Sequence, residues 1–139
     1  MKKIAAFAGI ALVLTGCVTA PPTLRQLRQK PGSTHSFVLH KDYQSVYRAV
    51  LTQARGCLQA GIGGGGQLAV NGDLFPNLKS GEITVGIVGA LGSAIYNGID
   101  VREIADGQTE VRTYSWGGNG ESSTALIRSW AEGSENCRL

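Results

Sequence analysis

The sequence predicts an α+β fold: an antiparallel sheet of about four to five strands carrying two helices on one face, in the order β-α-β-β-β-β-α. Three observations carry that prediction. Apolar residues recur at three- and four-residue spacing between Tyr43 and Leu58. Character alternates residue by residue on either side of Asp106-Gly107, and a helical period returns between Ser122 and Ala131. The chain has 139 residues, a length that suits one core built from one sheet and one or two helices.

Taken in order, residues 34–39 (THSFVL) are short and rich in β-formers, and read as the first strand. Asp42 is placed to cap the helix that follows. In that helix Tyr43, Val46, Tyr47, Val50, Ala54, Cys57 and Leu58 form one stripe, with Arg48, Gln53, Arg55 and Gln59 largely opposite, and Gly61 supplies the stop. Residues 67–75 (QLAVNGDLF) contain Asn71-Gly72, which reads as a tight turn or as a bulge within one strand. Residues 82–88 (EITVGIV) form the next strand. Residues 98–105 (GIDVREIA) form another, with Ile99, Val101 and Glu103 on one face and Asp100, Arg102 and Ile104 on the other. Asp106-Gly107 then signals a hairpin into 109–116 (TEVRTYSW), where Val111, Thr113 and Ser115 alternate with Arg112, Tyr114 and Trp116. Gly117-Gly118-Asn119-Gly120 breaks the strand. Residues 122–131 read as a short helix with Leu126, Ile127 and Trp130 on one face and Arg128 opposite. The twenty glycines imply many turns, or backbone that must approach something closely.

The amino terminus carries the sharpest motif. Lys2 and Lys3 precede an uncharged apolar run from Ile4 to Val13, followed at once by Leu14-Thr15-Gly16-Cys17. The run is too short to span a bilayer. The last four residues resemble the lipobox of bacterial lipoproteins. That resemblance implies lipid transfer to the Cys17 thiol, cleavage between Gly16 and Cys17, and acylation of the new amino group with fatty chains such as palmitate. Val18, in place of an Asp, favours the outer membrane over the inner one in the enterobacterial sorting pattern. The expected product is anchored through its lipid and faces the periplasm. Residues 1–16 are then the signal peptide, 17–33 the lipidated cysteine and a flexible tether, and 34–139 a small α+β domain. Pro21, Pro22 and Pro31 oppose regular structure in the tether, which would reach on the order of 50 Å when extended. A basic helical turn built on Leu24, Leu27, Arg25, Arg28 and Lys30 is the lesser alternative to a solvated spacer there.

With Cys17 assigned to lipid, Cys57 and Cys137 remain as an even pair in an oxidising compartment, and a disulfide is the natural reading. The element order also resembles the helix-grip topology of small envelope lipoproteins, including domains of an outer-membrane assembly subunit. That likeness is one of topology and carries no function.

Composition and motifs narrow the function classes. Net charge is +3, and setting aside Lys2 and Lys3 leaves eleven basic residues against ten acidic, which gives no support for nucleic-acid binding. Gly61 to Gly66 (GIGGGG) lacks the Lys and Ser or Thr of a phosphate loop, because Gln67-Leu68 stand there. Residues 83–99 carry no charge, with Gly86, Gly89 and Gly92 at every third position. They read as a buried strand followed by a loop on the core, and as an apolar docking patch for protein or lipid if 90–96 are exposed. His35 and His40 fall on opposite strand faces and do not converge on a metal. No serine sits in a nucleophile-elbow motif. Tyr114, Trp116 and Trp130 read as core rather than as a stacking platform. No catalytic, cofactor-binding or metal-binding residue is therefore assigned. The expectation is a non-catalytic protein-binding or structural module of the periplasm with an envelope protein as partner. The alternatives are a small glycan or lipid on the sheet's concave face, and a hydrolase, which would need His35 or His40 beside a carboxylate.

Overall fold

The computed structural model describes residues 19–29, 31–62, 65–90 and 92–138. The elements are α1 (Leu24–Gln29), β1 (Ser33–Leu39), α2 (Tyr43–Leu58), β2 (Ala60–Ile62), β3 (Gly66–Phe75), a 3-10 turn (Pro76–Leu78), β4 (Ser80–Gly89), β5 (Gly92–Ala105), β6 (Gln108–Ser115) and α3 (Gly120–Glu132). All six strands form one antiparallel sheet in the order β1-β6-β5-β4-β3-β2. The α+β class and the antiparallel sheet with two helices on one face are as expected. The short β2 and the helix α1 come in addition.

The helix α2 starts where the Asp42 carboxylate accepts hydrogen bonds from the amides of Gln44 and Ser45, at 3.0 and 3.1 Å. Its stripe of Tyr43, Val46, Tyr47, Val50 and Ala54 is buried against Phe37, Leu39, Val70, Ile83, Val85, Ile99, Val101 and Val111 of the sheet. The last helix adds Ile127, Trp130 and Ala131 to the same core, and ends at Gly133 in the left-handed region, with φ 113°. Cys57 and Cys137 are joined across 80 positions, with Cα atoms 5.2 Å apart.

Four local expectations are corrected. Gly61 does not stop α2: Gln59 is already extended, and Ala60–Ile62 pairs with β3. Asn71-Gly72 is neither turn nor bulge, because β3 runs through it in unbroken register with β4. The reason lies across the sheet. A Cβ on Gly72 would stand 2.6 Å from the Tyr47 hydroxyl, and one on Gly81 only 2.5 Å from a Tyr47 ring carbon. Both glycines are gaps that seat the Tyr47 ring against mid-strand backbone. Residues 83–99 are not a strand followed by a loop. They are the two arms of the β4–β5 hairpin, paired from Gly89↔Gly92 to Ser80↔Arg102, with the register shifting so that Tyr96 is the extra residue.

The fourth correction concerns residues 17–33. The part of the expected spacer that is described is folded onto the sheet. There α1 lies on the face away from α2 and α3, with Leu24 and Leu27 buried against Tyr114 and packed by Ile95 and Trp116. Thr23 opens its first turn, accepting from the Gln26 amide on its side-chain oxygen at 3.3 Å. Sheet backbone ties down both flanks. The Ile95 amide donates to the Pro21 carbonyl and the Gly32 amide to the Ser115 carbonyl, each at 2.7 Å. The helical turn on Leu24 and Leu27 forms because the sheet receives it. Gly98 leaves the socket, since a Cβ there would fall 2.2 Å from a Leu24 methyl.

Candidate functional site

Alternation along the strands sends one set of side chains to the helices and the other to the α1 face. Across that outer face, register places Asp73 opposite Glu82, Glu82 opposite Asp100, and Asp100 opposite Arg112. Three carboxylates on neighbouring strands thus stand side by side, an arrangement that like-charge repulsion disfavours. A cation from outside the row relieves it. The Arg28 guanidinium, on the last turn of α1, donates through Nε to Asp100 Oδ2 at 3.1 Å and through Nη2 to Glu82 Oε1 at 2.6 Å, with a further Nη2 bond to Asp100 Oδ1. Its carbon lies 6.0 Å from the centre of the Tyr114 ring.

One row further along, Arg102 stands opposite Glu110. The Glu110 carboxylate accepts from Arg112 Nη2 at 3.1 Å and from Arg102 Nη2 at 3.4 Å. Between α1 and these two rows lies an open cleft of about 320 Å³, lined by Arg28, Glu82, Asp100, Glu110, Arg112 and Tyr114 among others. Burial acts to lower the Arg28 pKa, but the hydrogen bonds and charges of Asp100 and Glu82 outweigh it and hold the guanidinium above its ordinary range. Desolvation, with the nearby Asp100 charge, pushes the Tyr114 hydroxyl up. The hydrogen bond to Glu110 raises Arg112. The cleft therefore presents fixed, paired charge of both signs: planar donors and acceptors that can bond a polar ligand or a charged protein surface.

The residues singled out in the sequence are dispersed. Cys17 lies outside the described residues. His35 is half-buried in β1 beside the start of α3, where its Nε2 would be 3.4 Å from a Cβ on Gly120, whereas His40 is exposed just past the strand. Among the described residues, no group of three or more His, Cys, Asp or Glu side chains is arranged to hold a metal. The aromatic trio is split by the sheet. Trp130 is in the core and donates to the Asn136 carbonyl at 2.7 Å, while Tyr114 and Trp116 lie under α1. Trp116 meets Tyr96 edge to face, with ring centres 5.8 Å apart. On the helix side, the space between α2 and α3 is only about 90 Å³, bordered by Leu58, Asn97, Leu126 and Trp130, a packing gap on the face opposite the cleft. No helix among the described residues is long and apolar enough to cross a membrane.

Sequence reading missed Arg28, consigned to the tether, and the row it neutralises. Part of the signal was available: alternation in 98–105 and 109–116 puts Asp100, Arg102, Arg112 and Tyr114 on one side. Comparison with protein-family models, with curated proteins and with solved structures gives no match for this chain.

Proposed function

We propose that the chain is a lipid-anchored lipoprotein of the bacterial envelope, held by Cys17 and facing the periplasm from the outer membrane, whose domain binds another envelope protein without catalysis. The lipobox Leu14-Thr15-Gly16-Cys17 supports the anchor. The observation that supports recognition is the cleft beside α1, where Arg28, Arg102 and Arg112 are engaged with Glu82, Asp100 and Glu110. Groups committed to one another in this way suit complementary charge recognition more than proton transfer.

The test is made on the full-length chain expressed in a Gram-negative host. The amino-terminal peptide should begin at Cys17 with added acyl mass. A photo-crosslinking amino acid at Arg102, whose side chain is exposed at the cleft rim, should give a discrete adduct that the same probe at Arg48, on the exposed side of α2, does not. An intact leader overturns the anchor, and identical adduct patterns from the two positions overturn the cleft as the binding surface. A second reading draws on the polar lining of the cleft and on its volume of about 320 Å³, which is near the lower end for small-ligand sites. On that reading a small envelope glycan binds there, and native mass spectrometry of the purified protein should find a bound saccharide that Asp100→Asn loses.

A further inference from the structure

We infer that one end of the sheet, the β4–β5 tip with Val88, Gly89, Gly92 and Ala94 and the neighbouring Tyr96–Trp116 pair, rests on the lipid surface that holds Cys17. This rests on the anchor reading above and adds an orientation to it. The chain path supplies the argument. The Pro21 carbonyl is bonded to the Ile95 amide on β5, close to the tip, and Cys17 precedes Pro21 by four positions. Four residues span at most about 14 Å. An acylated Cys17 would therefore hold this end of the sheet at the headgroups, in place of a domain hanging on the order of 50 Å away.

The chemistry of the two ends agrees with that placement. From Ile83 to Ile99 the hairpin carries no charge, and Val88 is 49% exposed at its tip. Val88 and Ala94 border a shallow groove on the outer face beside Pro22, close to where the chain arrives from Cys17. The opposite end carries Lys79, Glu103 and Asp106, with Lys79 and Glu103 paired at 2.7 Å. Fourteen residues of β5 separate the two ends, roughly 40 Å of strand. Tyr96 and Trp116, half-buried and edge to face, are at the uncharged end, and such residues favour the membrane–water boundary. Arg25 is exposed on α1, where it can meet an anionic headgroup, and Glu121, exposed on the first turn of α3, limits how far that side can approach. Backbone groups that face between the two arms are paired across the hairpin, and on the open side of β5 the Ile95 amide is taken by the Pro21 carbonyl, which lowers the cost of shallow contact with acyl chains. The fatty chains supply the anchorage and the tip sets the tilt.

The experiment uses the full-length acylated protein in vesicles of phosphatidylethanolamine and phosphatidylglycerol, with or without bromine on the acyl chains near the headgroup. Val88→Trp reports on the tip and Leu78→Trp, at a side chain 71% exposed, on the opposite end. Bromines at a depth of about 5–10 Å, the reach of interfacial apolar faces, should roughly halve the added emission of Val88→Trp and leave that of Leu78→Trp unchanged. Equal quenching at both sites, or none at Val88→Trp, in protein that floats with vesicles and carries acyl mass overturns the orientation and leaves the anchor standing. Protein without acyl mass overturns the anchor and the orientation with it. Should Val88→Trp fail to fold, deuterium exchange on the wild-type protein replaces it. Slower exchange across 86–95 on vesicles than in Cys17→Ala protein free in solution is the supporting result, and equal exchange the overturning one.

Discussion

Replacing Arg28 by Gln removes the side chain that bridges α1 to the acidic row, and its effect can be worked out from the geometry. The three side chains are about one-third exposed, at 31% for Arg28, 37% for Glu82 and 28% for Asp100. Solvent screening therefore keeps each pair near the exposed-pair range of about 0.2–1 kcal/mol. The lost contact with Tyr114 adds about 0.5 kcal/mol. Glu82 and Asp100 are then left directly opposite each other, at a cost of a few tenths to about 1 kcal/mol. A loss of about 1–3 kcal/mol near pH 7 follows. The response to salt is the sharper prediction. With the cation gone, two facing carboxylates repel, and Asp73 across from Glu82 adds to that, while Arg112 opposite Asp100 tempers it. Added salt screens both this repulsion in the variant and the ion pairs of the wild type. The gap between the two should therefore narrow as salt rises toward about 1 M. Urea denaturation followed by circular dichroism measures it, with Arg102→Gln as a control expected to stay within about 0.5 kcal/mol. A gap that is absent at low salt, or that widens with added salt, would refute the bridging role of Arg28.

Further outcomes are expected elsewhere in the fold. Gly81→Ala should destabilise by about 1–2 kcal/mol, because overpacking against the Tyr47 ring at 2.5 Å costs about 1–3 kcal/mol and outweighs the smaller entropic gain from losing glycine; an unchanged or higher thermal midpoint would contradict it. Leu27→Ala should open α1 locally, so that trypsin cuts after Arg25 and Arg28 faster than the modest shift in midpoint would imply, since Leu27 is buried in the small cluster that holds α1. Cys57→Ser removes a link that closes a span of 80 positions, for which chain entropy gives up to about 4.5 kcal/mol, and the wild type should melt lower with reductant while the variant does not.

The parts of the fold that were legible are those whose signal is local. The stripe from Tyr43 to Leu58 fills the sixteen residues of α2, and the capping residue Asp42 directly precedes them. Asp106-Gly107 does form the β5–β6 turn, with Gly107 at φ 67°. What was illegible depends on partners far along the chain. Asn71-Gly72 looks like a turn until the Tyr47 ring is known to occupy the space above Gly72. The charged row is hidden by one bulge. Glu103 pairs with Thr109 while Ala105 pairs with Gln108, so Ile104 is extra, and only that slip sets Asp100 opposite Arg112. Reading the hairpin outward from its turn without the bulge puts Thr113 there instead.

The case of α1 shows how far this dependence goes. Six residues between prolines cannot nucleate a helix unaided, and those of α1 are held by Gly98 and by Glu82 and Asp100, none closer than 54 positions in sequence. Of the contacts that order α1, those of Arg28 with Glu82 and Asp100 also wall the cleft. A cationic ligand that binds Asp100 must compete with Arg28, so cleft occupancy and α1 docking are linked in free energy, and the linkage is reciprocal. Trp116, packed beside Leu24 and Leu27, reports on it. Titration with a short arginine-rich peptide should shift Trp116 emission to the red as α1 lifts, and Arg28→Gln, in which Asp100 is already free, should bind the peptide more tightly with a smaller shift. Weaker binding by that variant would mean that Arg28 is not the ligand's competitor.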